Sequence, residues 1–111
     1  MRTCFALNDK PIAHARLYIS ARGIYDCYVN GTLLSRDYFN PGCTQYNKTL
    51  FYQTYDITPL LTKGQNALGI MLNEGWWSGA STFAGENWNF YGDRQSVLAQ
   101  AIITYADGTT T

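Results

Sequence analysis

Tyr25-Asp26-Cys27-Tyr28-Val29-Asn30-Gly31-Thr32-Leu33-Leu34 is the stretch that decides the fold. Tyr25, Cys27 and Val29 alternate with Asp26 and Tyr28, as the two-residue period of a half-buried strand requires. Asn30-Gly31 separates this run from Thr32-Leu33-Leu34. A type I′ turn needs positive φ at both central residues, and Asn-Gly meets that need with little strain. The stretch therefore predicts a β-hairpin with Tyr25, Cys27 and Val29 facing a core and Asp26 facing solvent.

Toward the N-terminus, Gly23 interrupts the chain, and Arg16-Leu17-Tyr18-Ile19-Ser20-Ala21 alternates as a second strand. Toward the C-terminus, residues 37–49 read as a loop, with turn chemistry at Asn40-Pro41-Gly42. Leu50-Phe51-Tyr52-Gln53-Thr54-Tyr55-Asp56 reads as a strand. Thr58-Pro59-Leu60-Leu61-Thr62-Lys63-Gly64 reads as one short helical turn, capped by Thr58 with help from Asp56, started by Pro59 and closed by Gly64. Ala67 to Leu72 is apolar throughout and reads as an interior strand covered on both faces. Residues 74–94 show no period and contain Trp76, Trp77 and Trp88. A segment of that length without its own structure points to a functional loop. Ser96 to Tyr105 alternates again, with Val97, Ala99, Ala101, Ile103 and Tyr105 on one face. Asp107-Gly108 reads as a hairpin turn with no returning strand, which predicts a natural polypeptide that continues past Thr111. Strands and turns without a 3.6-residue period give an all-β fold: an antiparallel β-sandwich with one short helical turn, a single module over residues 1–111.

The composition narrows the function. The chain has 111 residues, 46% hydrophobic and 14% charged, and zero formal net charge. With no Lys/Arg cluster there is no electrostatic footprint for nucleic acid or for an anionic membrane surface. A lightly charged surface with nine Tyr and three Trp suits a neutral ligand such as a sugar. The cysteines Cys4, Cys27 and Cys43 are odd in number and lack CxxC spacing, so they read as buried or half-buried free thiols. His14, the single histidine, has no Cys or His neighbour and no serine motif, and reads as structural or solvated.

Three blocks carry a resemblance. The first is Ala15-Arg16-Leu17-Tyr18-Ile19-Ser20-Ala21-Arg22-Gly23-Ile24-Tyr25 with Asn30-Gly31. The second runs from Asp37-Tyr38 and Pro41-Gly42 through Tyr52-Gln53-Thr54-Tyr55-Asp56-Ile57-Thr58 to Gly64-Gln65-Asn66 and Gly75-Trp76-Trp77-Ser78-Gly79. The third is Tyr91-Gly92-Asp93-Arg94 with Ile103-Thr104-Tyr105-Ala106-Asp107-Gly108. In order and spacing they resemble the N-terminal β-sandwich domain of bacterial α-L-rhamnosidases. The resemblance implies a jelly-roll-like, galactose-binding-like sandwich serving as an accessory module of a larger multidomain glycoside hydrolase. It implies an inverting carboxylate pair located elsewhere, in an (α/α)₆ catalytic barrel. Related modules bind L-rhamnose through calcium, so the resemblance brings calcium as the one candidate cofactor. The chain departs from the family pattern at Cys27, Cys43 and Glu74.

Two site readings follow. Trp77 and Trp88, with Asn87 and Glu74, are candidates to contact a sugar, because an aromatic face suits the C–H face of a pyranose. Trp76 is expected to anchor the end of the Ala67–Leu72 strand in the core. Asp37, Asn40 and Asp93 are candidate calcium ligands, because calcium takes six to eight oxygens from carboxylates, amides and carbonyls; the competing reading of Asp37 and Asn40 is local turn hydrogen bonding. Hydrolysis by inversion would need two carboxyls about 6.5–9.5 Å apart. Asp9, Asp26, Asp37, Asp56, Glu74, Glu86, Asp93 and Asp107 are the acidic residues, and no catalytic pair is assigned among them.

Overall fold

The computed structural model describes residues 1–80 and 87–111. Among the described residues seven strands occur in the order β1 Arg2–Leu7, β2 Ile12–Arg22, β3 Ile24–Val29, β4 Thr32–Leu33, β5 Gln53–Asp56, β6 Gly64–Asn73 and β7 Ser96–Tyr105, with a 3-10 turn at Thr58–Leu60. They form two antiparallel sheets, β1-β6-β3-β4 and β5-β2-β7.

The deciding hairpin forms as its sequence requires. Asn30 and Gly31 have φ of 50° and 84°. Tyr28 faces Leu33 and Val29 faces Thr32 across the turn. Tyr25, Cys27 and Val29 are buried, while Asp26 is exposed. Their counterparts across the sandwich are Ala15, Leu17, Ile19 and Ala21 of β2 with Ile103 and Tyr105 of β7. Burying branched and aromatic side chains at roughly 1.5–3 kcal/mol each is the main stabilising term. Tyr25 Oη links the two sheets, donating to Gln53 Oε1 at 2.7 Å and lying 3.5 Å from Tyr55 Oη. Gln53 Nε2 in turn donates to Pro41 O at 3.1 Å, tying the 37–49 loop to this end of the sandwich.

Several elements differ from the sequence expectation. Strand β1 was not anticipated, because only Leu7 is buried in it. Its stability comes from the ladder with β6, from Arg2↔Gly69 to Leu7↔Gly64. Strand β6 is interior to its sheet, as expected, but only one face is covered: Met71 is 63% exposed. The strand expected over residues 50–56 is laddered only from Gln53, where pairing with Ile19 begins. In the 3-10 turn, Asp56 Oδ1 accepts from Thr58 N at 3.0 Å, the assistance expected of it. The N-cap position, however, is Ile57, and Gly64 opens β6 rather than closing the turn. The chain also begins to return after Asp107-Gly108. Ile103 and Thr111 exchange both backbone hydrogen bonds at 2.9 Å, and Tyr105 N donates to Thr109 O at 2.9 Å. Of the cysteines, Cys27 is buried, but Cys4 and Cys43 are exposed, contrary to expectation.

An amide pair locks the hairpin to the loop before β6. Asn66 is 2% exposed. Its Oδ1 accepts from Asn30 Nδ2 and from Thr62 N, each at 2.8 Å. Its Nδ2 donates to Thr62 O at 2.7 Å and Gly64 O at 3.0 Å. Asn30 completes the bridge by accepting from Ala67 N at 2.8 Å and donating to Leu60 O at 2.8 Å.

Candidate functional site

The end of β6 delivers the tryptophan-rich segment. After Asn73 the chain turns, and Trp77 N donates to Glu74 O at 3.2 Å. Gly75 sits at φ 57° against β3, where an added Cβ would lie 2.6 Å from Ile24 Cγ2. The turn therefore needs glycine both for its backbone and for its closeness to the sheet. It sends Trp76 and Trp77 to opposite sides.

Trp77 goes inward and is 8% exposed. Its Nε1 donates to Arg94 O at 3.0 Å. Tyr91 stacks on it at 6.2 Å and 18°. Tyr46 meets it edge-on at 5.6 Å and 87°. The Arg22 guanidinium lies 5.0 Å from the ring centroid. Gly92 approaches so closely that a Cβ there would stand 2.5 Å from Trp77 Cζ2. Trp77 is thus the packing centre of the segment, with no open ring face to offer a pyranose. This corrects its assignment as a sugar platform. The expectation for Trp76 is corrected in the same way. It is 41% exposed and anchors no core; its ring meets Phe39 edge-on at 5.6 Å.

Beyond Trp77, Gly79 and Asn89 pair with each other. Gly79 N donates to Asn89 Oδ1 at 2.7 Å, and Asn89 N donates to Gly79 O at 2.9 Å. Ala80 and Trp88 form the next antiparallel bridge. Trp88 is 67% exposed, as a contact residue would be, and Phe90 beside it is 66% exposed. Asn87 is also exposed. Glu74 is exposed, and its Oε2 lies 2.9 Å from where a Cβ on Gly79 would stand, so its carboxylate borders Gly79. Glu86 lies outside the described residues.

The sequence reading missed a second aromatic group. Tyr38 is 86% and Phe39 60% exposed, and with Trp76 they form a chain of rings. Phe39 holds φ 63°, which is unusual for a bulky residue. A groove of about 270 Å³ runs from Tyr38 and Phe39 past Asp26 to Met71 and Asn73. The signal was available in Asp37-Tyr38-Phe39-Asn40, where two aromatics sit inside a polar loop.

The candidate calcium ligands do not converge. Asp37 Oδ2 accepts from Ser35 Oγ at 2.8 Å, and Asn40 Nδ2 donates to Asp37 O at 3.2 Å. Those are turn contacts, the competing reading. Asp93 is exposed and meets neither among the described residues. No group of three or more His, Cys, Asp or Glu that could hold a metal occurs among the described residues. The described side chains thus do not by themselves fit a calcium cage.

Among the described residues, the carboxyls with displaced pKa values are displaced downward. Hydrogen bonding to Lys63 lowers Asp9, hydrogen bonding to Thr58 lowers Asp56, and hydrogen bonding to Lys10 lowers Asp107. A general acid needs the opposite displacement.

Two antiparallel sheets and an aromatic-caged loop at one end define a jelly-roll-like β-sandwich module. Residues 10–111 match the family model of the α-L-rhamnosidase N-terminal domain. An α-L-rhamnosidase of Streptomyces avermitilis is 41% identical over 110 residues, covering 99% of this chain and 10% of that protein. One from Alteromonas sp. (strain LOR) is 40% identical over 111 residues, covering 99% of this chain and 12% of that protein. The crystal structure of the Streptomyces enzyme complexed with L-rhamnose superposes with a TM-score of 0.94 over 99% of this chain and 10% of that one. The Aspergillus terreus α-L-rhamnosidase structure, 35% identical, also gives 0.94, covering 99% of this chain and 13% of that one. The chain belongs to the family of α-L-rhamnosidase N-terminal domains. It spans 10% to 12% of the length of these two curated relatives.

Proposed function

We propose that the chain is an accessory, non-catalytic module of an α-L-rhamnosidase, and that hydrolysis of terminal α-L-rhamnosides is carried out by another part of the parent polypeptide. The observation that carries this reading is coverage: the match extends over 99% of this chain but 10% of the Streptomyces enzyme. The acidic residues support it. Asp9 and Asp107 are held in ion pairs with Lys63 at 2.7 Å and Lys10 at 2.6 Å, while Asp56 and Asp37 hold local turns. The partners in this reading are the remaining domains of the parent, including the (α/α)₆ barrel that the family resemblance implies. The test is an aryl α-L-rhamnoside assay on the 111-residue chain and on the parent. The parent turns over and the chain alone does not; hydrolysis by the chain alone overturns the proposal.

A second reading is favoured by the exposed rings of Trp76, Trp88 and Phe39: the module also binds L-rhamnose, in the calcium-dependent form that the resemblance implies. Calorimetric titration with L-rhamnose, in calcium and then in chelator, decides it. Heat in calcium that chelator abolishes supports it, and no heat in either leaves the structural role alone.

A further inference from the structure

We infer that Asn30 is a masked site of self-modification, at which the side-chain amide can cyclise onto Gly31 and convert to aspartate or isoaspartate, and that Asn66 is the residue that keeps it masked. The inference is independent of the reaction the parent enzyme performs.

Asn30-Gly31 is the one Asn-Gly step in the sequence. A glycine after asparagine leaves the next backbone amide without a Cβ to shield it. Nothing in space shields it either. Asn30 and Gly31 are exposed, and a Cβ built on Gly31 would meet nothing within 4 Å. The reaction needs only water. The Gly31 nitrogen attacks Asn30 Cγ and gives up its proton. The new N–Cγ bond closes a five-membered imide as the Cγ–Nδ2 bond breaks, and Nδ2 leaves as ammonia with that proton. Water then adds to one of the two imide carbonyls, and the ring opens to aspartate or isoaspartate.

The side-chain hydrogen bonds oppose this. Asn30 Nδ2 donates to Leu60 O and to Asn66 Oδ1, each at 2.8 Å, and Asn30 Oδ1 accepts from Ala67 N at 2.8 Å. All three partners lie between the 3-10 turn and the start of β6, and none lies on the hairpin itself. The planar amide is pinned at both ends, so it must leave these partners before it can close on Gly31 N. Departure of Nδ2 also abandons two acceptor oxygens. Asn66 is the firmest of the three anchors. It is 2% exposed, and its own amide is fixed by Thr62 and Gly64, so water does not readily replace it. The product cannot return to the same bonds. Aspartate is an acceptor without a donor. Leu60 O and Asn66 Oδ1 would then face a carboxylate oxygen instead of an N–H. The bridge is therefore a one-way latch: an opening long enough to react does not close again.

Peptide mass spectrometry of the chain aged in mildly alkaline buffer tests this, reading the amide-to-acid conversion and the isoaspartate at residue 30. In native buffer the conversion is expected to run about 100-fold slower than in urea, the factor that three hydrogen bonds supply. Equal rates in the two overturn the proposal, whatever the variants do. Two substitutions then separate the lock from general stability. Asn66→Ala removes the anchor and should speed conversion about 10-fold in native buffer. Asn66→Asp keeps an acceptor for Asn30 Nδ2 while losing the donors to Thr62 O and Gly64 O, so it lowers the urea midpoint yet should hold conversion close to the wild-type rate. Equally fast conversion in both variants, each still folded, shows that Asn66 does not mask the site and overturns the assignment. Asn30→Asp reproduces the product and should lower Tm by roughly 5 °C. An unchanged Tm overturns the latch.

Discussion

At the residue scale, Trp77 and Trp88 show how one residue type divides between packing and contact. Trp77 donates to Arg94 O at 3.0 Å and is stacked by Tyr91, so truncation removes both a buried ring and the partner of a carbonyl. Trp77→Ala is expected to cost about 3–5 kcal/mol and Trp77→Phe about 1–2 kcal/mol, read by urea unfolding. Trp88→Ala should stay within about 0.5 kcal/mol, because that ring is 67% exposed. Equal costs at the two positions would refute the division. Cys27 gives a pH signature. Burial pushes its thiol up to about 11, while Cys4 and Cys43 are exposed. The thiolate is the reactive form. At pH 8 an alkylating agent should label Cys4 and Cys43 in the folded chain and leave Cys27 until urea is added.

At the element scale, the Asn30–Asn66 bridge joins the β3–β4 hairpin to the entry of β6. Asn66→Ala strands Asn30 Nδ2, Thr62 N and two carbonyls, and should cost about 2–4 kcal/mol. Asn66→Asp should recover only part of that, since a carboxylate cannot donate to Thr62 O and Gly64 O. The Asp107-Gly108 turn carries an electrostatic counterpart. Hydrogen bonding to Lys10 lowers Asp107 below the usual carboxylate range. A lowered folded-state pKa stabilises above the unfolded value near 3.8 and loses that contribution as pH falls through the folded value. Lys10→Ala should therefore destabilise slightly at neutral pH and not at all in strong acid, a difference that salt reduces because the pair is exposed. Legibility follows the same physics. The strands β3 and β7 could be read because their inward residues are apolar and alternate. Strand β1 could not, because Arg2, Thr3 and Cys4 are exposed and its stability comes from backbone pairing that leaves no side-chain pattern. Trp76 and Trp77 were reversed because they follow a turn at Gly75, and strand parity does not carry through a turn.

At the scale of the whole molecule, the sandwich is longer and more open than its length requires. Its radius of gyration is 16.4 Å, where a closed domain of this length has about 13 Å. The outer face of β5-β2-β7 explains where openness becomes a liability. A groove of about 750 Å³ runs along it beside Tyr18, Leu50, Tyr52 and Leu98, with Leu98 76% exposed. Leu98 lies opposite Ser20 on the solvent side of the ladder and contributes nothing to the buried core. Apolar residues on an open sheet face next to a free edge favour self-association. Leu98→Lys is therefore expected to leave the urea midpoint unchanged within about 0.5 kcal/mol while raising the monomer fraction measured by sedimentation. If the substitution instead lowers stability by several kcal/mol, Leu98 is buried by a contact within the folded chain. The apolar face would then belong to the core rather than to the surface.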